Sequence, residues 1–275
     1  MAAFKIHAVF GRETKMKMHV LMLAGLAAVL LNAGCATTRQ APAPQRFAWV
    51  TGLKADKAAR YKELHAHCWP TVLERIKESH IQNYSIYLKE IAGQQFLFSY
   101  LEYTGKDFAA DMKQMASDPE TQRWWRETDP CQQPLPDAAA KLKIWDDLEE
   151  VFYFPGEMAP GTEGTRYGMI TGLLTEKEAW YRTLHSTPWR GVNAQIFGSH
   201  IRNYSIFLKE IGGKLYLFSY FEYTGKDFAG DMAAMAKDAT TQRWWKQTDA
   251  CQSPLPAAAA KGKIWDSTEE VFHCE

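Results

Sequence analysis

Residues 80–93 read HIQNYSIYLKEIAG, and residues 200–213 read HIRNYSIFLKEIGG. Within each, Tyr84, Ile86 and Leu88 (and their counterparts 120 positions on) alternate with polar neighbours, the period-two pattern of a strand. Gly93 then marks a turn, and QFLFSYLEY at 95–103 is a second strand, so strand, short glycine turn and strand form a hairpin. Working outward, the correspondence continues. FSYLEYTGKDFAADM at 98–112 returns as FSYFEYTGKDFAGDM at 218–232, TQRWW at 121–125 returns at 241–245, and KIWD at 143–146 returns at 263–266. The offset is 120 throughout, without insertion or deletion. A chain of 275 residues therefore holds two domains of roughly 110 residues, each the size of a small single-core unit.

Upstream of the hairpin, RFAWVTGL at 46–53 has the β-branched and aromatic content of a strand. DKAARYKELHAHC at 56–68 reads as a helix that Pro70 interrupts and restarts, and TVLERIKES continues it. Downstream, KDFAADMKQMAS at 106–117 spaces Phe108, Met112 and Met115 for a helix face, with Asp107 and Asp111 read as a solvated face. PETQRWWRET is a short helix opened by Pro119, and EEVFYF at 149–154 is a closing strand. The order β-α-β-β-α-β is the ferredoxin-like pattern, with both helices on one face of a four-stranded antiparallel sheet. The other sheet face has to be covered. The second repeat supplies that cover, so one chain forms an α+β pseudo-dimer, an intramolecular dimeric α+β barrel.

The N-terminus is an address. VLMLAGLAAVLLNA at 20–33 is too short to span a bilayer. Lys15 and Lys17 precede it and Gly34-Cys35-Ala36 follow, the layout of a secretory signal. Leu-Asn-Ala-Gly-Cys resembles a bacterial lipoprotein box with Cys35 as the lipidated residue; Asn32 departs from it, and cleavage after Ala36 is the alternative. The expected organisation is a signal at 1–35 (starting at Met1, Met16 or Met18), a tether at 36–45, repeat 1 at 46–155, a Gly/Pro-rich linker at 156–165 and repeat 2 at 166–275. The mature protein is expected in the cell envelope, membrane-attached through Cys35 or free in the periplasm or medium.

Charge narrows the function. Thirty-two Lys and Arg balance 32 Asp and Glu, without the basic footprint of a nucleic-acid binder. Cys68, Cys131, Cys251 and Cys274 allow three full disulfide pairings, among which sequence does not choose. No Cys/His spacing fits zinc, so no metal is expected. Nucleophile-elbow, phosphate-loop and dinucleotide patterns are absent. What stands out is Tyr61, His65 and Trp69, four apart on one helix face, with Trp124-Trp125 on another. A core stripe explains such spacing too. Histidine, however, titrates near neutral pH, and two adjacent tryptophans sit about 100° apart on a helix, so one is free to line a cleft.

Jointly, Tyr61-x3-His65-x3-Trp69-Pro70, His80-x2-Asn83-Tyr84-x-Ile86-Tyr87-Leu88, Thr121-Gln122-Arg123-Trp124-Trp125 and Glu149-Glu150-Val151-Phe152-Tyr153 resemble the L-rhamnose mutarotase family. The resemblance covers nearly all of each repeat. It implies a dimeric ferredoxin-like fold, no metal or other cofactor, and interconversion of the α and β anomers of a monosaccharide, L-rhamnose or a related 6-deoxyhexose. By position, His65 matches the family's proton donor, and Tyr61, Tyr84, Trp124 and Trp125 match its sugar-binding residues. The second repeat keeps His185, Tyr181, Tyr204, Trp244 and Trp245. It departs at Arg190, where repeat 1 has Pro70, and at His273, where repeat 1 has Tyr153, which puts the second site's geometry in question. Pro188 in place of Cys68 is expected to end the second histidine's helix differently. Two other functions stay open: an envelope lipoprotein that binds a sugar or partner through the same pocket without turnover, and a monooxygenase-like α+β barrel.

Overall fold

The computed structural model describes residues 43–158 and 161–275. The proposed signal, Cys35 and most of the tether lie outside the described residues. Repeat 1 comprises β1 (Gln45–Leu53), α1 (Ala58–Ala66), α2 (Pro70–Glu78), β2 (Ile81–Ile91), β3 (Gln94–Tyr103), α3 (Phe108–Ser117), α4 (Pro119–Thr128), β4 (Gln132–Gln133), α5 (Pro136–Ala140), β5 (Asp146–Asp147) and β6 (Glu149–Phe154). Repeat 2 follows with β7 (Thr165–Leu173), α6 (Glu178–Ser186), α7 (Arg190–Gly198), β8 (Ile201–Ile211), β9 (Lys214–Tyr223), α8 (Phe228–Met235), α9 (Ala239–Thr248), β10 (Gln252–Ser253), α10 (Pro256–Ala259), β11 (Asp266–Ser267) and β12 (Glu269–Cys274). The main elements fall where periodicity and proline placed them.

Local chemistry fixes the element ends. Pro70 and Pro119 occupy the first turns of α2 and α4, where a missing N–H costs nothing. Asp107 and Asp118 cap α3 and α4, accepting from Ala110 N at 3.0 Å and Thr121 N at 2.8 Å. Asp111, read from sequence as solvated, instead accepts from Tyr103 Oη at 2.6 Å and contacts His80 Nδ1 at 2.9 Å.

The closing strands are exchanged, which corrects the expected topology. The first sheet runs β12-β2-β3-β1-β4 and the second β10-β7-β9-β8-β6. β6 leaves its own repeat and pairs with β8, Phe152 opposite Ile206; β12 pairs with β2, Phe272 opposite Ile86. Each sheet is thus completed by the other repeat. The exchange also relocates His273. It stands in the first sheet, with Nδ1 2.9 Å from Ser85 Oγ, and so does not perturb the site of its own repeat.

The molecule is layered helix, sheet, sheet, helix. Leu97 and Leu101 of β3 face the helices, whereas Phe96, Phe98 and Tyr100 face the opposing sheet. There Phe98 stacks on Phe218 at 5.4 Å, and Tyr100 on Tyr220 at 3.8 Å. A polar cluster sits beside this stack. Asn83 Nδ2 donates to Glu102 Oε1 (3.0 Å) and Glu222 Oε1 (2.7 Å), and Asn203 Nδ2 donates to the same two carboxylates. Asn83 and Asn203 adopt φ of 51° and 48°, a left-handed conformation that asparagine tolerates.

Candidate functional site

In repeat 1 the helix layer and the first sheet enclose two adjoining cavities of about 350 and 130 Å³. His65, Tyr84, Trp124 and Trp125 line both; Tyr61 lines the larger. All five residues anticipated for the first site therefore converge, from α1, β2 and α4. The Tyr61 and His65 rings stack at 4.0 Å. Trp124 meets His65 edge-on at 5.3 Å, and Trp69 likewise, while the Arg123 guanidinium lies 4.4 Å over Trp69. Trp124 is buried and Trp125 half-buried, yet both line the cavities, so the adjacent tryptophans do not divide between core and cavity wall.

His65 Nδ1 lies 2.9 Å from the Tyr61 carbonyl oxygen. A carbonyl only accepts, so Nδ1 carries the proton and Nε2 keeps its lone pair. Burial pushes the imidazole down to about 4, against a weaker opposing effect of that carbonyl. The ring is neutral at pH 7, which corrects the expectation of titration near neutrality. Sequence spacing locates a histidine but not its desolvation.

Tyr61 Oη and Gln132 Oε1 are buried in the site, where the two side chains act on each other and neither atom has a further partner among the described residues. Burial, then the neighbouring Tyr84, hold the Tyr61 phenol far above its usual range, so it is a firm hydroxyl donor and acceptor. Unsatisfied buried polar groups are costly. Placed on a cavity wall, they are suited to a ligand rich in hydroxyls. Asp129, at the end of α4, lines the same cavity. Burial alone pushes its carboxyl up to about 6. Sequence reading missed Asp129 and Gln132. Their only sequence signal is exact recurrence, as Asp249 and Gln252.

Phe272 completes the inner cavity. Its ring is edge-on to His65 at 5.4 Å and to Tyr84 at 5.4 Å. Because β12 is exchanged, this wall of the first site comes from repeat 2.

The second site repeats the arrangement. Tyr181 and His185 stack at 4.0 Å, His185 Nδ1 lies 2.9 Å from the Tyr181 carbonyl oxygen, and Trp244 is edge-on at 5.4 Å. Phe152 of repeat 1 contacts both His185 and Tyr204. Trp245 follows Trp244 on α9, half-buried like Trp125. Tyr181 Oη and Gln252 Oε1 are again buried with no further partner beyond each other among the described residues, and burial again pushes the histidine down to about 4. The expected difference in helix ends is not found: α1 ends at Ala66 and α6 at Ser186, the same position in the repeat. Pro188 lies beyond the last helical residue, where proline is tolerated. The sites differ instead in their outer walls, Trp49 and Leu142 of repeat 1 being replaced by Met169 and Gly262.

A larger cleft, about 730 Å³, opens where Asn83, Asn203, Glu102 and Glu222 meet. Those four groups already satisfy one another, and the cleft lacks the aromatic walls of the other two.

Comparison with known proteins fits this geometry. The L-rhamnose mutarotase of Bacillus subtilis (strain 168) is 33% identical over 109 residues, 40% of this chain and 97% of that protein. That of Shouchella clausii (strain KSM-K16) is 33% identical over 108 residues, 39% of this chain and 96% of that protein. A crystal structure from Fusobacterium nucleatum, described as that of a candidate monooxygenase, superposes with a TM-score of 0.50 at 8% identity, covering 85% of this chain and 94% of that one. At that identity the likeness concerns fold alone. The family profile for L-rhamnose mutarotase matches residues 46–154 and again 166–274. The chain is thus a member of the L-rhamnose mutarotase family, with two copies of the family's domain joined in one polypeptide.

Proposed function

We propose that the protein interconverts the α and β anomers of L-rhamnose or a closely related 6-deoxyhexose, at both sites. The observation that carries this reading is the duplicated set of a neutral, buried histidine beside a tyrosine and a glutamine whose buried oxygens have no partner beyond each other among the described residues. Aromatic walls suit the C–H faces and methyl group of a deoxy sugar. Mutarotation must remove the proton of the anomeric hydroxyl, break C1–O5 with a proton delivered to O5, rotate about C1–C2, and close. His65 Nε2, with its lone pair, takes the anomeric proton. The protonated carboxyl of Asp129 supplies the proton for O5, and Tyr61 Oη orients the hydroxyls between them. On closure the imidazolium becomes the donor. Acid–base assistance of this kind is worth on the order of 10²–10⁴-fold. Saturation transfer between the two anomeric protons of L-rhamnose, with and without the protein, tests the reading. Binding without faster exchange, across a panel of 6-deoxyhexoses, would replace it with a non-catalytic sugar-binding role.

The same proposal places the protein in the cell envelope, on the strength of the apolar run at 20–33 and the Gly34-Cys35 step. Cys35→Ser is expected to move it from the membrane to the soluble fraction. Identical fractionation of variant and wild type would mean that Cys35 carries no lipid.

A further inference from the structure

The four cysteines within the repeats divide into two kinds. Cys131 and Cys251 are repeat counterparts, both buried on the helix side. Cys68 and Cys274 break the repeat: their counterparts are Pro188 and Phe154. They belong to different repeats and lie at nearly opposite ends of the folded sequence. Strand exchange nevertheless brings them to one place.

Cys274 ends β12 and is the register partner of Tyr84 in β2. Side chains two apart on a strand share a face, so Cys274 points to the helix side with Phe272, and His273 to the other. Cys68 lies in the short connection between α1 and α2, over that face. Both cysteines are half-buried and pack against the same core cluster, and Cys68 lines the inner cavity. Cys274 is near enough to act on the Cys68 thiol, and both cysteines act on the Tyr84 phenol. The second site has no such pair.

We propose that Cys68 and Cys274 form an inter-repeat disulfide under oxidising conditions, tying the exchanged strand β12 to the α1–α2 connection of the first site. Both are free thiols in the present structure. The reaction needs a disulfide as oxidant, either a small-molecule disulfide or a thiol–disulfide oxidoreductase. A thiolate of one cysteine attacks it, the second cysteine displaces the mixed disulfide, and two electrons and two protons leave with the two thiols released from the oxidant. Burial, then the neighbouring Cys274, push the Cys68 thiol up to about 12, so attack at neutral pH is slow and quickens as pH rises. The link closes a very long loop, the situation in which a cross-link restricts the unfolded chain most.

The test uses the full chain, incubated with oxidised glutathione or with a reductant, alkylated under denaturing conditions and digested with trypsin. The expected product joins the peptides 63–75 and 264–275, while Cys131 and Cys251 are alkylated. The oxidised form should also unfold several degrees above the reduced form, and Cys68→Ala/Cys274→Ala should lose that redox-dependent difference. Recovery of Cys68 and Cys274 only as separate alkylated or glutathionylated peptides would overturn the proposal. So would a redox shift that persists in the double variant. Neither readout involves sugar turnover, so a failure of the mutarotase reading leaves this test intact.

Discussion

Replacing Phe272 by Leu should damage the site that holds His65, although Phe272 belongs to the same repeat as His185. Phe272 is 7% exposed and fixes the edges of His65 and Tyr84, each at 5.4 Å. A Phe-to-Ala change at such a position costs about 3–5 kcal/mol, a large part of a domain's stability of about 5–15 kcal/mol. Leucine keeps most of the volume, and swaps that do so usually cost under about 1.5 kcal/mol. The fold therefore survives while the ring that orients the imidazole is lost. A displacement of about 1 Å costs on the order of 10²-fold in rate. In a His185→Ala background, where only the first site works, Phe272→Leu should cut anomer exchange by about that factor. In a His65→Ala background it should leave the rate unchanged. The assay is saturation transfer between anomeric protons, with circular dichroism to verify folding. An effect confined to the His65→Ala background would refute the assignment of the exchanged strand to the first site.

Further outcomes follow from the same structure. His65→Ala and His185→Ala should each leave a substantial part of the exchange rate and the double variant none, since both imidazoles hold the same geometry; this replaces any expectation drawn from Pro188. The rate should be highest between the imidazole value of about 4 and the Asp129 value of about 6, falling above 6 as the carboxyl loses its proton; Asp129→Asn should lower the rate and remove that upper limb in a His185→Ala background. For stability, the histidines' contribution is complete above their unfolded value of about 6.5 and is lost as pH falls toward 4, because the unfolded chain binds the protons first. Asp129 has the opposite sign, its raised value costing stability as pH rises from the unfolded value of about 3.9 through 6, so chemical denaturation should show a shallower acid dependence than the histidines alone would give. Gly168→Ala should lower the thermal midpoint by overpacking, about 1–3 kcal/mol, since its Cβ would stand 2.7 Å from the Tyr87 ring and 2.5 Å from Thr268 Oγ1.

The elements were legible because their signals are local. Alternation marks β2 and β3, Pro70 and Pro119 open helices, and a constant offset of 120 exposes the duplication. The histidine, tyrosine and tryptophan set was legible through family likeness. The exchange was not, because NYSIYLKE and NYSIFLKE offer EEVFYF nearly identical edges. The choice between them lies in the path taken by the chain between α5 and β6 rather than in the strand itself. Asp129 was invisible for a related reason. An isolated Asp in TDPCQQ has no periodic signature, and its raised pKa comes from burial that only the folded chain creates.

The exchanged strands also constrain how the chain is built. Tyr87 of β2 sits across from Glu270, 183 positions later. As the polypeptide emerges from the ribosome, β2 of the first repeat presents an unpaired edge until β12 has been made. Contacts of such sequence separation form slowly, and an open edge of this kind invites pairing with another molecule. Removing only residues 269–275 should therefore leave a chain that aggregates through β2 rather than one that merely lacks a terminus.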